Sequence, residues 1–234
     1  MNDDAVLLRR YAEEGSESAF TELVRRHVDL VYGAALRRTN GDTHHAADVA
    51  QQVFTALARN ARKLADHAVL GAWLHTATRN AALNLMISEK RRQARELQAF
   101  ALDPATAAGG AEAPPAWDQV RPVLDAAIDD LPEADRAAVV LRFLERRAFA
   151  EIARALRVSE DAARMRTERA LDKLRTALAR RGITSTAAAL GAVVSTQSLI
   201  SAPAGLAAAL AAQSLATAGA SAGAFATLTS LFIL

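Results

Sequence analysis

Apolar residues recur along this chain at helical spacing with polar stripes between them, and the strict two-residue alternation of a half-buried strand is missing. Residues 5–14 predict a short helix closed by Gly15. Ser16 or Ser18 then caps a longer one, whose apolar stripe runs Phe20, Leu23, Val24, Val28, Val31 and Ala35. His27 falls inside that stripe and reads as a hydrogen-bonded, half-buried core residue rather than a ligand. Thr43 is the predicted cap of a third helix reaching about residue 60, with Ala46, Ala50, Val53, Phe54 and Leu57 inward. Its outward stripe is polar: Asp48, Gln51, Gln52, Thr55, Arg59 and Arg62. Periodicity breaks over 60–71, which reads as a loop. A fourth helix from about Ala72 turns Trp73, Leu74, Ala77, Ala81 and Leu85 inward and ends in the basic run Lys90-Arg91-Arg92 with Arg95. Trp73, His75, Thr76, Arg79, Asn80 and Asn84 bring an aromatic, bases and amides together on it. That mixture suits single-stranded nucleic acid, and equally a core tryptophan beside a solvated end.

Residues 103–116, DPATAAGGAEAPPA, lack periodicity and carry Pro and Gly, so they predict a flexible linker between two helical domains. Past it, Asp118 caps a helix with Val120, Leu124, Ala127, Ile128 and Leu131 inward. Pro132 opens the next, which buries Ala137, Val140, Leu141 and Leu144. Phe149, Ile152 and Leu156 mark a short helix, Arg157 and Val158 a turn, and Ser159 the cap of a longer helix with Glu160 and Asp161 at its positive end. On that helix Ala163, Thr167, Ala170, Leu171, Leu174 and Leu178 share one side. Arg166, Arg169 and Lys173 lie opposite, with Arg164 on the flank. Residues 154–181 hold nine Lys/Arg against four Asp/Glu, so the outer face is locally basic. Two helices joined by a short turn, the second basic and outward, form the helix-turn-helix that enters a DNA major groove. A solvated amphipathic pair has the same pattern, so the rest of the chain must decide.

Composition narrows the classes. Cysteine is absent from the 234 residues, which excludes a disulfide framework and thiolate metal sites. The adjacent His44 and His45 point apart on a helix and make a poor metal pair, so no metal site with Asp48 is expected. Net charge is only +2, so any argument for nucleic acid rests on local distribution. The acidic start, MNDDAVLLRRYAEE, has no secretory character, and a cytoplasmic protein is expected. From Gly182 to Leu234 no residue is charged. Alanine contributes little to membrane insertion and Pro203 divides the best window, so membrane contact is not favoured. The tail is expected to pack as short helices on the protein's own helices or on another protein, and to lower activity by covering the helix-turn-helix domain.

Four stretches in order resemble a bacterial RNA polymerase sigma factor of the extracytoplasmic-function (ECF) type, in the sigma-70 family. Phe20 to Tyr32 is similar to the first helix of the region-two domain. Asp48, Gln51 and Phe54 sit at the spacing of its polymerase-binding helix, and Ala72 to Leu83 resembles its promoter-melting helix. Leu131-Pro132-Glu133 through Leu144, then Ala150 to Ala153 and Val158-Ser159-Glu160, resembles region four. The resemblance implies an all-α fold of two small helical domains: region two over 5–100, a linker over 101–117, region four over 118–182, and an Ala-rich extension over 183–234. It implies no catalysis and no cofactor. Asp48, Gln51, Gln52 and Thr55 would dock on RNA polymerase core. Asn60, Arg62, Lys63, Trp73, His75, Arg79 and Asn80 would take the −10 element of promoter DNA, and Ser159, Arg164, Arg166, Arg169 and Lys173 the −35 element. An anti-sigma protein is a further partner that the family admits. Thr167, where the family usually has leucine, and Glu168, where a basic or aromatic residue is common, depart from the pattern. A plain helix-turn-helix regulator and a membrane-tethered helical adaptor are the rival readings, and neither a heptad seam nor a ligand-pocket signature supports the first.

Overall fold

Turns and caps separate the first three helices. The computed structural model describes residues 3–66, 69–100, 125–180, 186, 190–192, 194–195 and 200–220. Helix α1 (Asp3–Glu14) ends at Gly15, whose φ of 68° lets the chain reverse. Ser16 then caps α2 (Glu17–Arg38) by accepting the Ala19 N–H. After α2 the left-handed pair Asn40 and Gly41 turns the chain into α3 (Thr43–Leu64). The cap of α3 is Asp42 and not Thr43: one carboxylate oxygen accepts the His44 and His45 N–H groups, each at 2.9 Å. Helix α3 also runs past residue 60. Ala61 and Leu64 extend the stripe of Leu57 and are buried, so the expected 60–71 loop shrinks to the few residues before α4 (Leu70–Phe100). No glycine or proline stands between 60 and 66 to break the helix.

Helices α1 to α4 pack around Leu8, Phe20, Leu23, Val24, Val31, Phe54, Leu57 and Leu74, all almost inaccessible. Burying side chains of this size stabilises by about 1.5–3 kcal/mol each. The second unit starts, among the described residues, with helical residues 125–129 (α5), which bury Ala127 and Ile128. The predicted Asp118 cap lies outside the described residues. Pro132 is the N-cap residue of α6 (Glu133–Val139), and the helix widens into a π-turn over Val140–Leu144. Helix α7 (Phe149–Leu156) packs through Ile152 in a smaller cluster with Ala137, Leu141 and Ala163, and α8 (Glu160–Ala179) completes the core of Ile128, Val140, Leu144, Leu174 and Leu178. No strand occurs among the described residues, and the all-α, two-unit expectation holds.

The uncharged tail reaches both units. Leu190 and Val194 are buried in the second core beside Leu171 and Leu174. Further on, Ile200 packs beside Gly33, and the Ala202 N–H donates to Asp29 Oδ1 at 2.8 Å. Helix α9 (Leu206–Ala220) then lies against α2 and α3 in the first unit. The tail thus packs on the protein's own helices, but its main helix covers the first unit where the second was expected.

Candidate functional site

The helix-turn-helix is assembled by local chemistry. Glu151 accepts the Ala148 N–H at 3.0 Å at the start of α7. Arg157, in the left-handed region at φ 55°, ends that helix and lets the Val158 N–H reach the Ala153 carbonyl. Ser159 Oγ accepts the Ala162 N–H at 3.2 Å and starts α8. All six inward residues of α8 are buried, from Ala163 to Leu178. Thr167 is among them, and its hydroxyl donates to the Ala163 carbonyl at 2.9 Å, so its departure from leucine leaves no unpaired polar atom.

Opposite that face, α8 is open. Arg164 is exposed, with its guanidinium 4.7 Å from the Phe149 ring centroid and 3.8 Å from Glu160. Arg169 donates to the Met165 carbonyl at 3.2 Å, and Met165 itself is exposed. Arg166 lies half-exposed on the same side. Lys173 differs from these, because its ammonium sits 2.6 Å from Asp135 on α6.

The polar stripe of α3 is divided. Asp48 and Gln52 are exposed, with Asp48 3.6 Å from His44. Gln51 instead donates to Thr55 Oγ1 and to Ser214 Oγ of α9, each at 3.1 Å, and Thr55 is buried. Arg59 reaches the Thr217 carbonyl at 3.5 Å.

The seven residues assigned to the −10 element do not form one surface. Arg62 and Lys63 are exposed in the last turn of α3, and Asn60 donates to the Ala56 carbonyl at 2.8 Å. Trp73 is partly buried against the first core, and Asn80 is half-exposed. His75 is fully buried, and its ring nitrogens form no hydrogen bond within the protein. Helix α4 has a second inward side, where His75 lies 3.8 Å from Asp129 of the second unit and Thr78 is buried, in place of the single inward face expected. Burial first, then the nearby Arg38, Arg37, Arg136 and Arg79, hold the His75 imidazole well below its usual pKa, so it is neutral.

Around His75 lies an ion-pair cluster that sequence reasoning missed. Arg38 grips Asp129 with two bonds of 2.9 and 3.0 Å, Arg79 meets the same carboxylate at 3.2 Å, and Arg37 pairs with Asp125 at 3.1 Å. Burial pushes the Asp129 carboxyl up despite these cations. One turn nearer the start of α4, on the same face, Glu145 lies 4.0 Å from His27, which meets Asp4 at 3.1 Å. A side chain on Gly71 would collide with the Glu145 carboxylate, so glycine permits that close approach. The signal that could have found the first cluster was an acid pair four apart, Asp125 and Asp129, flanking the inward Ala127 and Ile128.

Geometry alone defines a helix-turn-helix domain with an open basic recognition helix, joined to a four-helix unit. The model for "Sigma-70 region 2" matches residues 23–96, and that for "Sigma-70, region 4" matches 127–176. The chain is 31% identical over 178 residues to the ECF RNA polymerase sigma factor SigE of Mycolicibacterium smegmatis, covering 72% of this chain and 65% of that protein. It is 32% identical over 164 residues to the RNA polymerase sigma factor CarQ of Myxococcus xanthus, covering 69% and 90%. The chain belongs to the sigma-70 family of RNA polymerase sigma factors, in its extracytoplasmic-function branch. A co-crystal structure of the sigma factor RpoE with the anti-sigma factor NepR from Bartonella quintana also matches, at 18% identity over 64% of this chain and 92% of that one; its TM-score of 0.29 carries no weight. The region-two match spans α2 to α4 and the region-four match α5 to α8, so α9 lies outside both.

Proposed function

We propose that the chain directs RNA polymerase core to promoters and helps open the DNA at the −10 element. It is an initiation factor that positions and melts DNA, with the chemistry left to the polymerase. The observation that carries this is the open basic face of α8, set on a Ser159-capped helix whose other side is sealed in the core. Arg164, Arg166 and Arg169 meet the −35 duplex, some on phosphates and some on base edges, and phosphate contacts make binding fall with salt. Lys173 joins them when it leaves Asp135.

Asp48, Gln51, Gln52 and Thr55 on α3 form the docking face for polymerase core. Asn60, Arg62, Lys63, Trp73 and Asn80 then hold the displaced strand at the −10 element, by phosphate contact and base stacking. His75 and Arg79 join them only once α5 leaves α4, because Asp129 now occupies Arg79 and closes over His75. Polymerase fixes the spacing of the two DNA contacts, and joining them on one chain raises the effective concentration of the second. The site of action is the cytoplasm. No helix among the described residues is long and apolar enough to cross a membrane.

The test is run-off transcription with purified core polymerase on a promoter library, alongside core alone. Specific start sites that depend on the chain and disappear in Arg166→Ala/Arg169→Ala support the reading. Transcripts identical to those of core alone would end it.

A further inference from the structure

We propose that α9 is an internal cap, which closes the α3 docking face until polymerase core displaces it. The proposal rests on the assignment of α3 as the docking helix and adds its regulation. Leu206, Ala207, Leu210, Ala211, Ser214, Leu215 and Ala218 form a continuous seam at helical spacing, and every one of them is buried or half-buried in the first unit. Alanine at three of these positions lets the helix approach closely. At the centre of the seam Ser214 Oγ accepts the Gln51 amide N–H, the group a docking partner would need. Thr55 is closed off at the same place, and Arg59 is drawn to the Thr217 carbonyl.

Polymerase and α9 cannot use Gln51 and Thr55 together, so they compete. The cap is built to come off. Helix α9 carries no charged residue, so no ion pair of its own side chains ties it to α3, and the Gln51 and Arg59 contacts are hydrogen bonds with neutral acceptors on α9. A partner that needs the open face binds with an affinity reduced by the fraction of open molecules. Asp48 and Gln52 stay exposed beside the seam, which gives polymerase a first foothold.

The full chain allows a reversible test, because it contains no cysteine. A Cβ built on Gly33 would stand 3.5 Å from Ile200 Cβ, within the spacing that a disulfide spans. Gly33→Cys/Ile200→Cys would therefore pin the entry to α9 on α2, away from the docking face. Oxidised, it is expected to bind core polymerase at least tenfold more weakly than the same protein reduced. In the opposite direction, Ala211→Glu places a charge in the seam and is expected to tighten binding by tenfold or more, with the helical signal of α1 to α4 retained.

Equal affinity for oxidised and reduced protein, with the cross-link verified by mass, overturns the cap; it does so even if Ala211→Glu fails to fold. The docking assignment is read separately. Asp48→Ala/Gln52→Ala in the otherwise native chain weakens polymerase binding if α3 is the docking helix. If that affinity is unchanged while the disulfide still switches binding, the cap is real and its docking face is misassigned.

Discussion

Helices α8 and α3 each carry the polar face of an amphipathic helix, and both faces follow from the same periodicity, yet one is open and the other is half covered. On α8 the outward residues are exposed, apart from the half-exposed Arg166, and their contacts stay within the helix or reach its neighbours, α7 for Arg164 and α6 for Lys173. On α3 the decisive contact, Gln51 to Ser214, spans 163 positions of sequence. Helix α4 is a third case, with its basic side clamped by Asp129. A polar stripe shows which face is free of the helix's own core. Whether a distant segment returns to cover it is a separate matter, decided by packing.

The largest expected effect bears on the clamp. Asp129→Asn keeps the shape but leaves Arg38, largely buried, without its carboxylate, and breaking a buried pair costs about 3–5 kcal/mol. The two helical units should then melt in separate transitions by calorimetry, and amide exchange in α4 should rise; a single unshifted transition would break the contrast between α4 and α8.

Next comes the open face itself. Arg166→Ala and Arg169→Ala should each weaken upstream duplex binding by about 1–3 kcal/mol where the side chain reads a base, and flatten the salt dependence where it meets phosphate. Fluorescence anisotropy of a labelled −35 duplex measures this, and polymerase binding should not change.

The smallest effects concern His75. His75→Leu removes an imidazole that is buried without a hydrogen-bond partner, so stability should stay level or rise by about 1 kcal/mol in chemical denaturation. The same substitution separates the pH response. His75 is held neutral when folded but protonates near its ordinary pKa of about 6.5 when unfolded, so the unfolded chain binds the extra proton and stability falls as pH drops below that value. Asp4, held low by its His27 hydrogen bond against the cost of burial, acts in the same direction at more acidic pH. Asp129 and Glu145, raised by burial, act oppositely, favouring the fold as pH falls through their raised values. The difference between native chain and His75→Leu isolates the histidine: it should widen between pH 7 and 5.5, and identical slopes would put His75 in contact with solvent.

Much of the architecture was legible because it is local. Ser159 caps the helix it was expected to cap, Ser16 is the one of two candidate serines that caps α2, and the inward set of α8 is complete. Where two local signals competed, the stronger acceptor won: Asp42 binds two N–H groups and takes the cap from Thr43. The 60–71 segment looked broken because Arg62 and Lys63 interrupt the composition, while Ala61 and Leu64 quietly keep the period. His75 was read as outward because a single apolar face was assumed for α4. Contacts such as Arg38 with Asp129 leave only a weak trace, since neither residue's pattern names its partner. The alanine seam of α9 leaves less still, because alanine suits almost any helical surface.

A cap carried on the same polypeptide is present at one copy per molecule, whatever the rate of synthesis. A separate inhibitor protein sets a threshold: added factor stays silent until the inhibitor is saturated, and output then rises abruptly. With α9 the closed fraction is fixed by an intramolecular equilibrium, so making more of the chain raises the open population in proportion. Promoter output would then follow expression of the factor as a smooth dose, without a threshold to cross.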